Sequence, residues 1–347
     1  MLDVGGPVHV ATLGDPPAGA HRRTVVCLHG LGGSHLNWLA VAPGLSATAR
    51  VVAVDLVGHG RTPATGRTAD VDGHVALVTG VLEALAAGPV TLVGNSMGGL
   101  VAAVVAGGRP DLVDRLVLVD PALPPGRPVV PHPRVVANIV ACGVPGIGER
   151  FLAERRRRTT PAQHVRRVLA ACCHRPWRVD PAVVDAHVAL TASIDRAAAD
   201  AAYLASARSL SVALLRPAGL RRVVDRITAP TLLLHGERDL LVPLSAARQL
   251  AAAHPAWVFE VVKGVGHVPM LEAPAWTVAR IRSFEATLEG SPPGGDGPAG
   301  GGRRTGVGSA GGAGAQAVGP PTAQPEPSMT AASPGRSPAA SHRRPRA

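Results

Sequence analysis

The stretch best suited to chemistry is Gly94-Asn95-Ser96-Met97-Gly98, which follows the apolar run Val90–Val93 and opens the helix-length stretch Met97–Gly107. A serine between small residues on a strand-to-helix turn projects its hydroxyl clear of the backbone. The helix starting there aims unpaired N–H groups and the positive end of its dipole at developing negative charge. A hydroxyl is a poor nucleophile without a base, and the base needs an acid to orient it. His267, in Gly264-Val265-Gly266-His267-Val268-Pro269, and Asp239, in His235-Gly236-Glu237-Arg238-Asp239, each follow a β-type run and supply that pair. Asp120, closing the run Arg115–Val119, is the rival acid, and turn capping is the competing role for Asp239; Asp239 is preferred. An oxyanion needs two donors. The Met97 backbone N–H supplies one, and Leu31, in the loop His29-Gly30-Leu31-Gly32-Gly33, is placed to supply the other. A glycine-rich turn carrying an incidental serine is the bland alternative, and the strand–turn–helix context disfavours it.

These groups must be held by a scaffold that gathers the ends of several strands. Runs apolar throughout recur at Thr24–Leu28, Arg50–Val54, Val90–Val93, Arg115–Val119, Thr231–Leu234 and Trp257–Val262, each followed by small or polar residues. Unbroken apolar runs belong to strands covered on both faces, as in a parallel sheet. Helix-length stretches at Val71–Ala87, Met97–Gly107 and Ser245–Ala253 lie between them, so the class is α/β, a mostly parallel sheet with helices on both faces. Ligands in such sheets bind beyond the carboxyl ends of the strands, where the polar residues gather. Residues 122–226 break the alternation with Ala- and Arg-rich helices. The organisation expected is a core in two parts, 1–121 and 227–289, a helical cap over 122–226, and a tail, 290–347.

Of 347 residues, 46% are hydrophobic and 2% aromatic, with a formal net charge of +11. The excess is local: residues 121–226 carry 17 arginines against seven acids, while 1–120 carry seven arginines and nine acids. All basic residues but Lys263 are arginine, a bias shared by the whole chain. Nucleic-acid binding needs stacking aromatics or a reading helix as well as charge, and the aromatic content argues against it. No apolar run approaches the roughly 18 residues that span a bilayer. The start, Met1-Leu2-Asp3-Val4-Gly5, lacks the pattern of a secretory signal. Cys27, Cys142, Cys172 and Cys173 form neither a disulfide framework nor a zinc pattern, and no His, Cys, Asp and Glu cluster has metal spacing in the sequence. A cytoplasmic protein without cofactor, metal, membrane or nucleic-acid partner is expected. The tail is Gly-, Pro-, Ala- and Ser-rich and is expected to be disordered and dispensable, with an interaction arm ending in Arg343, Arg344 and Arg346 as the other reading.

The chain resembles the α/β-hydrolase fold superfamily in its cap-bearing serine-hydrolase branch. The resemblance rests on His29–Gly33, Asp55-Leu56-Val57-Gly58-His59-Gly60-Arg61-Thr62, Gly94–Gly99, His235–Asp239 and Gly266–Pro274, in the family's order across most of 24–289. It implies a helical cap inserted after the sixth strand and cofactor-free acyl chemistry on Ser96, with His267 as base and Asp239 as acid. It also implies structural roles for His29, His59 and His235. Dehalogenases and epoxide hydrolases of this fold use an aspartate nucleophile, which Ser96 excludes.

A small carboxylic ester is the expected substrate. Alternatives are carbon–carbon bond hydrolysis of ring-fission type, where the tryptophan often found after the histidine is Val268 here, and a cofactor-free haloperoxidase-like esterase. Acyl transfer to a thiol or alcohol uses the same residues, and a slow or non-catalytic ligand sensor is the reading from another class. An inward guanidinium from Arg127, Arg134, Arg150 or Arg155–Arg158 would clamp the carboxylate of an anionic substrate; a solvated helix face is the competing role.

Overall fold

The computed structural model describes residues 1–17, 23–130 and 132–289, without the Arg134 side chain. The tail expectation for 290–347 lies outside the described residues. In chain order the strands are β1 (Leu2–Asp3), β2 (Pro7–Val8), β3 (Val10–Gly14), β4 (Arg23–Leu28), β5 (Ala49–Val54), β6 (Val90–Asn95), β7 (Val113–Val119), β8 (Thr231–Gly236) and β9 (Val258–Val262). The helices are α1 (Ala42–Leu45), α2 (Val71–Leu85), α3 (Met97–Gly108), α4 (Pro133–Gly143), α5 (Ile147–Arg157), α6 (Pro161–Cys172), α7 (Pro181–Ser193), α8 (Arg196–Leu215), α9 (Pro217–Val224), α10 (Leu244–Ala253), α11 (Pro269–Glu272) and α12 (Pro274–Glu289).

Seven strands form one sheet in the order β3-β5-β4-β6-β7-β8-β9. Only β3, at the edge, is antiparallel, and the other pairs are parallel. Side chains alternate across a strand, so an unbroken apolar run feeds two cores at once. Val26 and Leu28 of β4, Leu116 and Leu118 of β7 and Leu233 of β8 enter one core, beneath α2 and α3. Their neighbours Val25, Cys27, Val117, Val119, Leu232 and Leu234 enter the other, with Leu45 of α1 and Ile281 and Phe284 of α12. Helices thus cover both faces of a mostly parallel sheet, as expected. Helix α3 is buried almost all round, which its composition requires.

The short β1 and β2 pair in a separate antiparallel ribbon, and neither they nor β3 stand out as apolar runs. Helices α4 to α9 lie between β7 and β8. Because of the extra strands, β7 is seventh in chain order and fifth in the main sheet, where the resemblance counted the sixth. Between β7 and β8, helices α6 to α9 send Val165, Leu169, Val183, Ala202 and Val224 into the two cores, but α4 and α5 send none. Those two pack on a satellite cluster of Cys142, Leu152 and Leu204, with Tyr203 against it. All four cysteines are free thiols. Among the described residues, no single helix is long and apolar enough to cross a membrane.

Candidate active site

Ser96 stands between β6 and α3 with φ +55 and ψ −118, a conformation that a residue with a Cβ rarely holds. Its backbone is clamped on both sides: its N–H donates to the Val119 carbonyl at 3.0 Å, and its carbonyl accepts the N–H groups of Leu100 and Ala122 at 3.1 and 3.0 Å. The neighbouring glycines answer crowding. A Cβ on Gly94 would collide with the Gly98 backbone, and one on Gly98 with the carbonyl oxygens of Leu28 and His29. On Gly30 it would lie 3.0 Å from the Ser96 Cβ, so the loop after β4 passes directly against the serine.

Asp239 and His267 are brought together by the loops after β8 and β9, with the histidine Nδ1 2.7 Å from Asp239 Oδ2. The other carboxylate oxygen accepts the N–H groups of Leu241 and Val242 at 2.7 and 3.0 Å. Burial works to raise the Asp239 pKa, but the charge and hydrogen bond of His267 outweigh it and hold the carboxyl below its ordinary value. Asp120 does not reach His267. Its Oδ1 accepts the Gly236 N–H at 2.8 Å, and burial, reinforced by the charge of the neighbouring Asp239, pushes its pKa well up.

The position of His267 depends on groups that the sequence did not single out. Its N–H donates to the Cys172 carbonyl at 2.7 Å, and its carbonyl accepts the Asn95 side-chain amide at 3.1 Å. Asn95 also reaches the Val119 carbonyl at 3.0 Å, and so ties the histidine loop to the turn that carries Ser96. The buried Glu272 carboxylate accepts the N–H groups of Gly266, His174 and Arg175 at 2.8, 3.0 and 2.8 Å, fastening that loop to the insertion. Among the described residues, no hydrogen bond joins Ser96 Oγ to His267.

In the loop after β4, Gly33 closes a turn onto the Gly30 carbonyl at 3.0 Å, and Gly32 adopts φ +72. The N–H groups of Leu31 and Met97 donate to no acceptor among the described residues. His29 lies beneath the loop, its Nδ1 2.8 Å from the Gly30 carbonyl and its Nε2 accepting the Leu56 N–H at 3.0 Å. His59 and His235 likewise bond backbone carbonyls, of Val57 and Val242 at 2.9 and 3.0 Å, in keeping with structural roles. Asp55 fixes the turn downstream of the loop: its carboxylate accepts the His35 N–H at 2.6 Å and the Arg61 N–H at 2.9 Å.

Burial, with the charge of His59, pushes His29 from 6.5 down to about 4. Burial and the charges of His59 and His29 push His74 down to about 2. Such histidines bind fewer protons folded than unfolded. Their contribution to stability is therefore complete above pH 6.5 and, for His29, is lost as pH falls from there through about 4. Urea unfolding should show a stability at pH 5 lower than at pH 8 by about 2 kcal/mol from His29 alone. A flat profile between those pH values would contradict the assignment.

Metal-capable donors that have no metal spacing in the sequence can still meet in space. Tertiary contacts assemble two groups of metal-capable donors, His9–His35–Asp55 and Asp120–His235–Asp239, the donors of each lying within 4.8 Å of one another. His9, His35 and Asp55, and likewise Asp120 and the His235–Asp239 pair, are well separated in the sequence and meet only through the packing of the sheet. Asp55 and Asp239 are already occupied by the hydrogen bonds described above.

Of the arginines in the insertion, Arg156 is paired with Asp200, Arg157 and Arg158 with Glu154, and Arg155 sits 5.8 Å over the Phe151 ring. Arg127 and Arg150 are exposed.

Residues 23–274 match the α/β-hydrolase fold family. A pimeloyl-[acyl-carrier protein] methyl ester esterase of Aromatoleum aromaticum is 31% identical over 258 residues, covering 73% of this chain and 94% of the relative. The human monoacylglycerol lipase ABHD6 is 26% identical over 77% of each chain. Among solved structures, a thermophilic esterase from Thermogutta terrifontis superposes with a TM-score of 0.61 at 24% identity, over 81% of this chain and 93% of its own. The chain therefore belongs to the α/β-hydrolase fold family, as a hydrolase with esterase and lipase relatives, consistent with a carboxylic ester hydrolase.

Proposed function

We propose that the protein is a serine hydrolase that cleaves small carboxylic esters through an acyl-serine intermediate. The reading is carried by one juxtaposition: Ser96 on a strained strand-to-helix turn, tied through Asn95 to a histidine whose Nδ1 is 2.7 Å from a buried carboxylate. In this reading His267 takes the Ser96 proton at Nε2 as Oγ attacks the ester carbonyl. The imidazolium that forms is oriented and stabilised by Asp239. Charge on the former carbonyl oxygen is met by the N–H groups of Leu31 and Met97. Collapse expels the alcohol, protonated by His267, and water activated by the same histidine then releases the acid. The ester, rather than another acyl bond, is supported by the methyl ester esterase that the chain resembles across most of its length. Arg156, Arg157 and Arg158 already have acidic partners and so give no support to an anionic substrate.

Rapid mixing with p-nitrophenyl butyrate tests the mechanism. The expected result is a burst of p-nitrophenol matching the enzyme content, followed by slower steady turnover, as acyl-serine accumulation requires. Efficient cleavage of a vinylogous diketone of ring-fission type, with no ester turnover, would overturn it in favour of carbon–carbon hydrolysis.

A further inference from the structure

We infer that the α4–α5 hairpin is a docking surface for an anionic phospholipid bilayer. Half of the exposed large apolar side chains among the described residues fall within the short segment Val130–Phe151. On α4, Val136, Ile139 and Val140 are 42%, 42% and 60% exposed, and their i, i+3, i+4 spacing puts them on one face. The chain then turns through Val144-Pro145-Gly146-Ile147, all exposed, and α5 continues the apolar surface with Ile147 and Phe151, one turn apart. The axes of the two helices differ by 111°, so the turn is an apolar tip flanked by two apolar faces. The opposite faces are used: Cys142 and Leu152 are 1% exposed, in the satellite cluster that seats the hairpin on α8. Each helix spans only 11 residues, about half of what crosses a bilayer, so the arrangement suits insertion at an interface and not passage through it.

Charge selects the occupant. Residues 127–158 contain seven arginines and two acids; Arg156 is paired with Asp200 and Arg157 and Arg158 with Glu154, so the charge offered to a partner is that of Arg127 and Arg150, both exposed, and of Arg155. A second copy seated face to face would set these arginines against their own equivalents, because a two-fold contact is self-complementary in position. An anionic lipid surface complements them, and each arginine near it strengthens the attraction. Arg155, over the Phe151 ring, has the placement of a side chain that lays its stem along apolar surface and keeps its charge at the headgroups.

The hairpin is also linked to the candidate site. Asn138, on the inner side of α4, donates to the Tyr203 hydroxyl at 3.3 Å, and the Tyr203 ring lies 3.2 Å from where a Cβ on Gly32 would stand. A bilayer seated on α4 is therefore one side chain away from the loop that carries Leu31. The docking surface itself does not depend on the role proposed for Ser96, and the Ser96→Ala chain should bind vesicles like the wild type.

Co-sedimentation of the full-length chain with vesicles of phosphatidylcholine, with and without phosphatidylglycerol, tests the inference. Partitioning onto the mixed vesicles should be about tenfold or more stronger than onto phosphatidylcholine alone. The double variant Val144→Asp/Ile147→Asp should lose about tenfold or more of that partitioning, with turnover of p-nitrophenyl butyrate and thermal unfolding unchanged. Ile147→Trp, a conservative addition to the same tip, should strengthen it. Equal binding by the double variant would assign vesicle affinity to other arginines and overturn the proposal. So would an unchanged affinity for Ile147→Trp, or a wild-type dimer that ignores vesicles and is broken by the double variant.

Discussion

Ser96→Ala should reduce ester turnover by about 10⁴-fold or more while leaving the fold intact. The serine Cβ already occupies its place at φ +55, so alanine adds no contact to the turn and inherits the same backbone clamps from Val119, Leu100 and Ala122. The hydroxyl makes no hydrogen bond among the described residues, so its removal leaves no buried partner unsatisfied. What disappears is the atom that attacks. The residual rate should be that of water held near the Leu31 and Met97 N–H groups. Steady-state turnover beside a thermal melt checks this; a variant retaining more than about a tenth of the activity would remove Ser96 from the chemistry.

The second large effect separates two buried carboxyls. Asp239→Asn should lower kcat by about 10⁴-fold, because an amide in place of the carboxylate presents a donor to His267 Nδ1 and favours the tautomer that cannot take the serine proton. Asp120→Asn should stay within about tenfold of the wild type, for a reason of charge. Burial and the neighbouring Asp239 favour the protonated form of Asp120, and an asparagine closely copies a neutral carboxyl whose Oδ1 accepts the Gly236 N–H. The paired kcat values measure the difference. Comparable losses in both variants would mean that the acid function is shared.

The residues proposed to carry the chemistry were legible because chemistry restricts type and spacing together. Ser96 needs small neighbours, and the crowding at Gly94 and Gly98 shows why. The two-sided cores were legible in the unbroken runs of β4, β7 and β8, whose alternate side chains part to opposite faces. The edge strand β3 was not, since its side chains are only partly buried and leave no apolar run. Asn95, Glu272 and the Cys172 carbonyl were out of reach for another reason. Asn95 bonds a carbonyl 172 residues away, and Glu272 bonds the N–H of His174 98 residues away. Nothing local distinguishes such an amide or carboxylate from any other polar side chain. The donor groups around Asp55 and Asp120 escaped in the same way, because packing of the sheet, not spacing, brings them together. The charge of the insertion was visible, but its use was not: ion pairing by Arg156, Arg157 and Arg158 depends on where Asp200 and Glu154 fall in the folded helices.

The central claim, that Ser96 is an activated nucleophile, is tested most directly by reaction with a fluorophosphonate and mass spectrometry of the labelled peptide. Stoichiometric modification at Ser96 of the native protein, absent in Ser96→Ala and suppressed by prior unfolding, is the expected result. A well-folded wild type that remains unlabelled, or a Ser96→Ala variant that labels equally, would contradict it and favour a ligand-binding role on the same fold.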